Sequence, residues 1–148
     1  GYVVAIGDPT TRRDLAERAD AAGLEPVQAV HPSATFGFGN HLGPGLVACS
    51  HVSVTTSITM GRHVHLNLNA TVGHDAVIGD HVTVYPGVNV SGDVVLGDGC
   101  SLGTGAAVLQ GVRIGAGTFV GAGSVVTRDL PGYVVAFGSP ARVMHEHH

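Results

Sequence analysis

The chain has 148 residues, of which 44% are hydrophobic, only 12% are charged and 23 are glycine, with a net charge of −4. Glycine-rich disorder is poor in Val and Ile; this chain is rich in both, so its glycines punctuate a folded core. Seven Lys and Arg argue against a nucleic-acid surface, and no apolar run reaches membrane-spanning length.

Gly1 to Gly7 lacks the charged flank and cleavage site of a signal peptide, which makes a cytoplasmic location the default expectation. Cys49 and Cys100 form no CxxC, so neither a thiol redox motif nor a zinc knuckle is expected. Tyr2 to Ile6 reads as a short buried strand. Asp8-Pro9-Thr10 follows with turn and cap chemistry, Thr10 as N-cap, and a helix is predicted over Arg12 to Ala22 with Gly23 as its stop. A lone strand and helix cannot bury both faces alone. Residues 1–29 therefore read as a remnant βα unit of a larger layer.

From about Val30 a different period takes over. Every sixth residue from Phe36 to Val126 is apolar, sixteen in one register, and nine of them are followed directly by Gly. Helices repeat near 3.6 residues and strands near 2. A strict period of six fits short strands joined by tight corners and stacked into a solenoid. The position two before each of these residues is apolar or small as well, for example Val52, Ile58, Val64, Ala70 and Ala76. Two inward residues per six imply three strands per coil and eighteen residues per coil, and thus about five coils from sixteen hexads, each rising roughly 4.8 Å. A residue and its partner eighteen positions on should lie one above the other. So short a solenoid leaves faces and edges to cover, which favours side-by-side oligomers. The β-helix is expected over 30–131 and a tail over 132–148, whose closing HEHH is given no structural weight.

Ten histidines need sorting. For most, a solvated outer face is the expected place. His74 differs by its surroundings, VGHDAVIGD. A carboxylate beside an imidazole orients it and raises its basicity, and Asp75 is adjacent. Eighteen positions after His74 stands Gly92. A glycine stacked on a base leaves a bare backbone N–H and room for a substrate, as a thioester carbonyl requires. Against this stands the plain alternative that Gly92 is one more corner glycine.

Three segments carry a resemblance: the entry IGD…TRR followed by HPSA at His31–Ala34, the VGHDAVIGD motif, and VGAGSVVTRDLPGYVVAFGSPAR with its Gly138-Ser-Pro140-Ala-Arg142 close. From about Tyr2 to Arg142 the chain resembles the hexapeptide-repeat sugar acetyltransferases, namely the sialic acid O-acetyltransferases and the nucleotide-amino-sugar N-acetyltransferases. The closing motif is common to many hexapeptide acyltransferases; the His-Asp motif is more specific. The resemblance implies an all-β, left-handed parallel β-helix, against the usual crossover hand, with a short βα unit at its N-terminus. It also implies acetyl-CoA as cosubstrate without a metal, a sugar or nucleotide-sugar acceptor, and a homotrimer with active sites between subunits. By position, His74 matches the general base, Asp75 its orienting acid and Gly92 the donor to the thioester oxygen. Thr83, Thr104, Gly121 and Ala122 match positions along the pantetheine channel. Pro140 and Arg142 match the cap near the adenine and phosphates, and Asn67 an acceptor-side polar residue. Arg113 and Arg128 are the other cations near enough to consider for phosphate, with a solvated edge charge the favoured reading.

Ala76 stands where that family usually has Cys, which direct transfer tolerates because it needs no thiol nucleophile. Before residue 30 only the last strand and helix of the family's nucleotide-binding-like region find a match, and no glycine-rich loop is present. A γ-type carbonic anhydrase would need a His-x4-His pair, and no two histidines here are five apart. The non-enzymatic alternative is a hexapeptide-repeat scaffold or assembly module, which would need neither the His-Asp pair above a glycine nor the Gly-x-Pro-Ala-Arg close.

Overall fold

The computed structural model describes residues 1–148. Seventeen two-residue strands, from Ala29–Val30 to Val125–Val126, wind into a three-sided prism of nearly six coils. That is one strand more than the sixteen hexads, because the coil begins at Ala29–Val30, ahead of Phe36. The register is the expected eighteen: Thr83 pairs with Ser101 and Val84 with Leu102, in parallel. The first face stacks the strands at Ala29, Val47, His65, Thr83, Ser101 and Phe119; the second begins at Thr35 and the third at His41.

The period of six follows from the corners. In each hexad two residues face inward, and a corner turns the chain toward the next face. The turning residue takes a left-handed backbone, as Gly99, Gly105 and Gly117 do, and as His63, Asp75, His81 and Asp93 do without being glycine. Asn, Asp and His are the side chains that tolerate this region best. The inward residues form one core of 29 buried side chains, mostly Val, Leu and Ile. Each such burial contributes about 1.5–3 kcal/mol. Ala76, at the position of the family's Cys, is fully buried in this core.

The N-terminal unit departs from expectation. Residues 2–6 form no strand; Tyr2 makes one isolated parallel bridge to Pro26, since no second neighbour extends the pairing. The helix α1 spans Pro9–Ala21 and starts earlier than predicted: the Asp8 carboxylate, not Thr10, accepts from the Thr11 N–H at 2.8 Å, and Pro9 fits the first helical turn because its missing N–H would have no partner there. Gly23 carries the expected left-handed stop, φ +78.

This unit lies on the first face, fastened at its centre by Arg12 and at its rim by the Arg62–Asp20 pair at 2.9 Å. Arg12 is 1% exposed. Its guanidinium donates to the carbonyls of Ile6, Gly7, His63 and His81 and to Thr83 Oγ1. Burial pulls it down to about 10, so it stays charged at neutrality. No carboxylate pairs with it; carbonyl dipoles from both the unit and the solenoid do that work. Under the unit, His63 and His65 are 1% and 7% exposed, which corrects the expectation of solvated histidines. Tyr2, His63 and His81 stack in a column, with ring centroids 5.8 and 5.3 Å apart.

The tail 132–148 is a hairpin, not a loose end. Val134–Gly138 continues the first face in parallel beside Phe119–Val120, and Ala141–Glu146 folds back antiparallel on it. No helix is long and apolar enough to cross a membrane.

Candidate active site

Three edges join the three faces, and each chemical feature belongs to one of them. His74 and Asp75 sit on the edge between the second and third faces, just past the Thr71–Val72 strand. Asp75 turns the corner with φ 60. That brings its carboxylate back to the ring, with His74 Nδ1 2.9 Å from Asp75 Oδ2. Nε2 is thereby left to face the next coil, where Gly92 lies. A Cβ built on Gly92 would stand 2.5 Å from His74 Nε2. Gly92 has no positive φ; it is glycine for space alone.

The Gly92 N–H is also free. Its neighbours Ser91 and Asp93 donate to the carbonyls of Val108 and His74, whereas Gly92 donates to no group of the chain. An unbonded N–H and a ring nitrogen thus belong to two residues that meet across one coil step. The Asp75 hydrogen bond first, and the nearby Asp93 charge with it, lift His74 above the ordinary imidazole value. Both side chains remain half exposed, at 54% and 58%.

The other expected residues lie elsewhere. Thr104 and Ala122 line one hollow of about 250 Å³ with Tyr85, Gly103 and Phe119. It lies on the edge between the first and second faces. Gly121 is buried on that edge, where the Phe137 ring covers it and leaves no room for a Cβ. Asn67 lies on the same edge, its Oδ1 accepting from the Leu68 N–H at 2.8 Å. Asn67 and His74 are thus at opposite ends of the Thr71–Val72 strand and do not meet within one chain. Thr83 is a correction: it is fully buried under Arg12 and donates to the Gly7 carbonyl, so it faces no channel. Pro140 and Arg142 are exposed at and beyond the hairpin turn, Arg142 bonding only to the Ala141 carbonyl. Arg113 and Arg128 are exposed edge charges.

Neither cysteine lies on the His74 edge. Burial pushes Cys100 up to about 11, and its thiol donates to the Gly115 carbonyl at 2.9 Å. Burial likewise raises Cys49.

Two residues near His74 escaped the sequence reading. Ligand atoms of His74, Asp75 and Asp93 all lie within 4.8 Å of one another, and Gln110 Nε2 donates to Asp93 Oδ2 at 3.2 Å. The eighteen-residue rule that found Gly92 also stacks Asp93 on Asp75.

With this geometry in view, the likeness to known proteins has a specific meaning. The family described as bacterial transferase hexapeptide (six repeats) matches residues 93–128. A histidine variant of perosamine N-acetyltransferase from Caulobacter crescentus, solved with CoA and GDP-perosamine, superposes with a TM-score of 0.95 at 38% identity, over 97% of this chain and 69% of that one. The chain belongs to the hexapeptide-repeat sugar acetyltransferase family. The family's fold is the left-handed parallel β-helix, and this chain shares it. The acetyltransferase domain of PglB from Neisseria gonorrhoeae FA1090 gives a TM-score of 0.94 at 32% identity, over 96% of this chain and 69% of that one. GDP-perosamine N-acetyltransferase of Escherichia coli O157:H7 is 36% identical over 77 residues, which are 52% of this chain and 35% of that protein. The match thus spans about a third of that curated relative's length.

Proposed function

We propose that the protein transfers an acetyl group from acetyl-CoA directly to a sugar or nucleotide-linked sugar, with His74 as general base. The observation that carries this reading is that His74 Nε2 abuts Gly92, whose N–H is unbonded. Relatives that share the fold at 38% and 32% identity were solved with CoA and GDP-perosamine and with acetyl coenzyme A, which supports the same class of cosubstrate here.

The acceptor's nucleophile attacks the thioester carbonyl while His74 Nε2 takes its proton. Asp75 holds Nδ1, which fixes the tautomer and stabilises the imidazolium. The carbonyl oxygen gains charge as the tetrahedral intermediate forms, and the Gly92 N–H meets that charge. Collapse breaks the C–S bond, and the departing thiolate recovers the proton from His74. No acyl-enzyme is needed, and neither cysteine stands on this edge to form one.

The active site lies between chains of a trimer. His74 occupies one edge, while the Thr104–Ala122 hollow, taken as the pantetheine channel, occupies another. The first face is already covered by the chain's own N-terminal unit, which leaves the second and third for neighbours. Val77 on the third face and Leu109 near the His74 edge are 44% and 45% exposed, and such apolar surface suits a packed interface. Pro140 and Arg142 on the hairpin are assigned to the nucleotide end of the cofactor, and Asn67 to the acceptor.

The test is direct. The purified protein, given acetyl-CoA and GDP-perosamine, should release free CoA thiol and acetylated sugar, and acetyl-CoA should raise its melting temperature. Absence of both effects would overturn the reading. Sedimentation should give a trimer at micromolar concentration; a monomer there would overturn the shared-site arrangement.

A further inference from the structure

The second carboxylate at His74 has no part in the scheme above. Asp75 and Asp93 hold equivalent corner positions on consecutive coils, with φ 60 and 58. Asp75 is committed to Nδ1. Asp93 follows Gly92 in the chain, so its carboxylate stands on the coil that Nε2 faces. Its only bonded side-chain partner is the neutral amide of Gln110, at 3.2 Å, and no Lys or Arg pairs with it. The acceptor's nucleophile must reach Nε2 and therefore passes this uncompensated charge.

We propose that Asp93 is a specificity residue that receives the ammonium of an amino-sugar acceptor beside His74, and so selects amines over hydroxyls. The inference rests on the acetyl-transfer reading above and names the substrate class of that site. The physical argument concerns charge. A negative group a few ångströms from the reacting centre opposes the oxyanion that develops on the thioester. A hydroxyl acceptor brings nothing to offset it. An amine does so twice: it arrives as an ammonium, which gains a charge-assisted bond to the carboxylate, and its nitrogen becomes positive again as the C–N bond forms.

The protons balance. The ammonium loses one proton to solvent by way of the exposed Asp93 carboxylate. The free amine attacks, the C–N bond forms, and a second N–H proton passes to His74 Nε2. The C–S bond then breaks and the thiolate takes that proton. The products are the acetamide, CoA thiol and one released proton.

The experiment compares the parent protein with Asp93→Asn and Asp93→Glu. Two acceptors are used: GDP-perosamine, and the matching GDP-sugar with a hydroxyl in place of the amine. The parent should acetylate the amine in strong preference. Asp93→Asn keeps the size of the side chain and should lower kcat/KM for the amine about tenfold to a hundredfold, mainly through KM, as expected for one lost bond to a charged group. Acetyl-CoA affinity should stay within about twofold, any hydroxyl transfer should rise because the charge that opposed its oxyanion is gone, and Asp93→Glu should recover part of the amine loss. Equal loss on both acceptors, or amine transfer unchanged in Asp93→Asn, overturns the role of Asp93 while acetyl transfer itself stands. Acetyl-CoA binding with transfer to the hydroxyl sugar alone, or to neither sugar, overturns amine selection. Failure to bind acetyl-CoA at all overturns the underlying reading, and this inference with it.

Discussion

Two edges of one prism carry histidines, and they behave in opposite ways. On the edge between the third and first faces, the N–H groups of Arg62 and Asp80 are capped by the carboxylates of Asp80 and Asp98, one coil further on. His63 and His81 stack there beneath the N-terminal unit, and burial lowers both below the ordinary imidazole value. On the His74 edge the residue one coil on is Gly92. No side chain reaches back from it, so the His74 N–H stays bare, and the exposed His74 ring is raised by Asp75. One repeat thus gives a closed, structural edge where an aspartate follows at eighteen and the N-terminal unit covers it, and an open, reactive edge where a glycine follows.

The strongest way to break the contrast is to remove the open edge's base. His74→Ala should lower turnover by about 10²–10⁴-fold, with acetyl-CoA binding retained, as read by steady-state kinetics and calorimetry. Retained turnover would falsify the general-base role.

Filling the space beside the ring comes next. Gly92→Ala places a Cβ against the ring, 2.5 Å from Nε2. The His74 ring must move, and turnover should fall roughly 10²-fold, as for a misplaced catalytic group, while the oligomeric state in sedimentation stays that of the parent.

The closed edge is tested at its fastening. Arg12→Met leaves several buried acceptors unbonded and should cost on the order of 2–4 kcal/mol. Hydrogen exchange should show residues 1–28 opening well before the coils. Uniform exchange across both regions would contradict the idea that Arg12 fastens the unit.

Acid should act on the two edges in different ways. His63 and His65 are buried and His81 half-buried, with lowered values caused first by desolvation. Below the unfolded value near 6.5 the unfolded chain binds more protons than the folded one. Stability therefore falls as pH drops through that value toward the lower folded ones. Thermal melts from pH 7.5 to 5 should show the loss, and His81→Asn should reduce it. His74 is raised, so it protonates first: catalysis should fail on a limb centred above 6.5, before stability does.

The smallest effect is Asp75→Asn. It removes the main cause of His74's raised value, so the acidic limb of the rate profile should move to lower pH. The maximal rate should fall less than in His74→Ala. An unmoved limb would mean that another group sets it.

Much of this was legible from one chain. The hexads locate the strands, and a step of eighteen residues stacks Gly92 on His74. The same step applied to Asp75 yields Asp93; the catalytic pattern drew attention to the base and its glycine and away from a second acid. Thr83 was misread because its match to a channel position carried no information about α1, whose Arg12 seals it. The strand expected over Tyr2 to Ile6 failed for a related reason: an apolar run becomes a strand only where a neighbour bonds it.

What the sequence determined by itself is therefore whatever repeats. Period, register, core, corner residues and the pairing of base with glycine all follow from local geometry applied every eighteen residues. What only the tertiary structure decided is what covers each edge. The docking of the N-terminal unit turns His63 and His65 from expected surface residues into buried ones and half-buries His81, and it leaves the His74 edge open. Burial is set by contacts between residues far apart in the chain, Arg12 with His63, His81 and Thr83, and no period in the sequence records them.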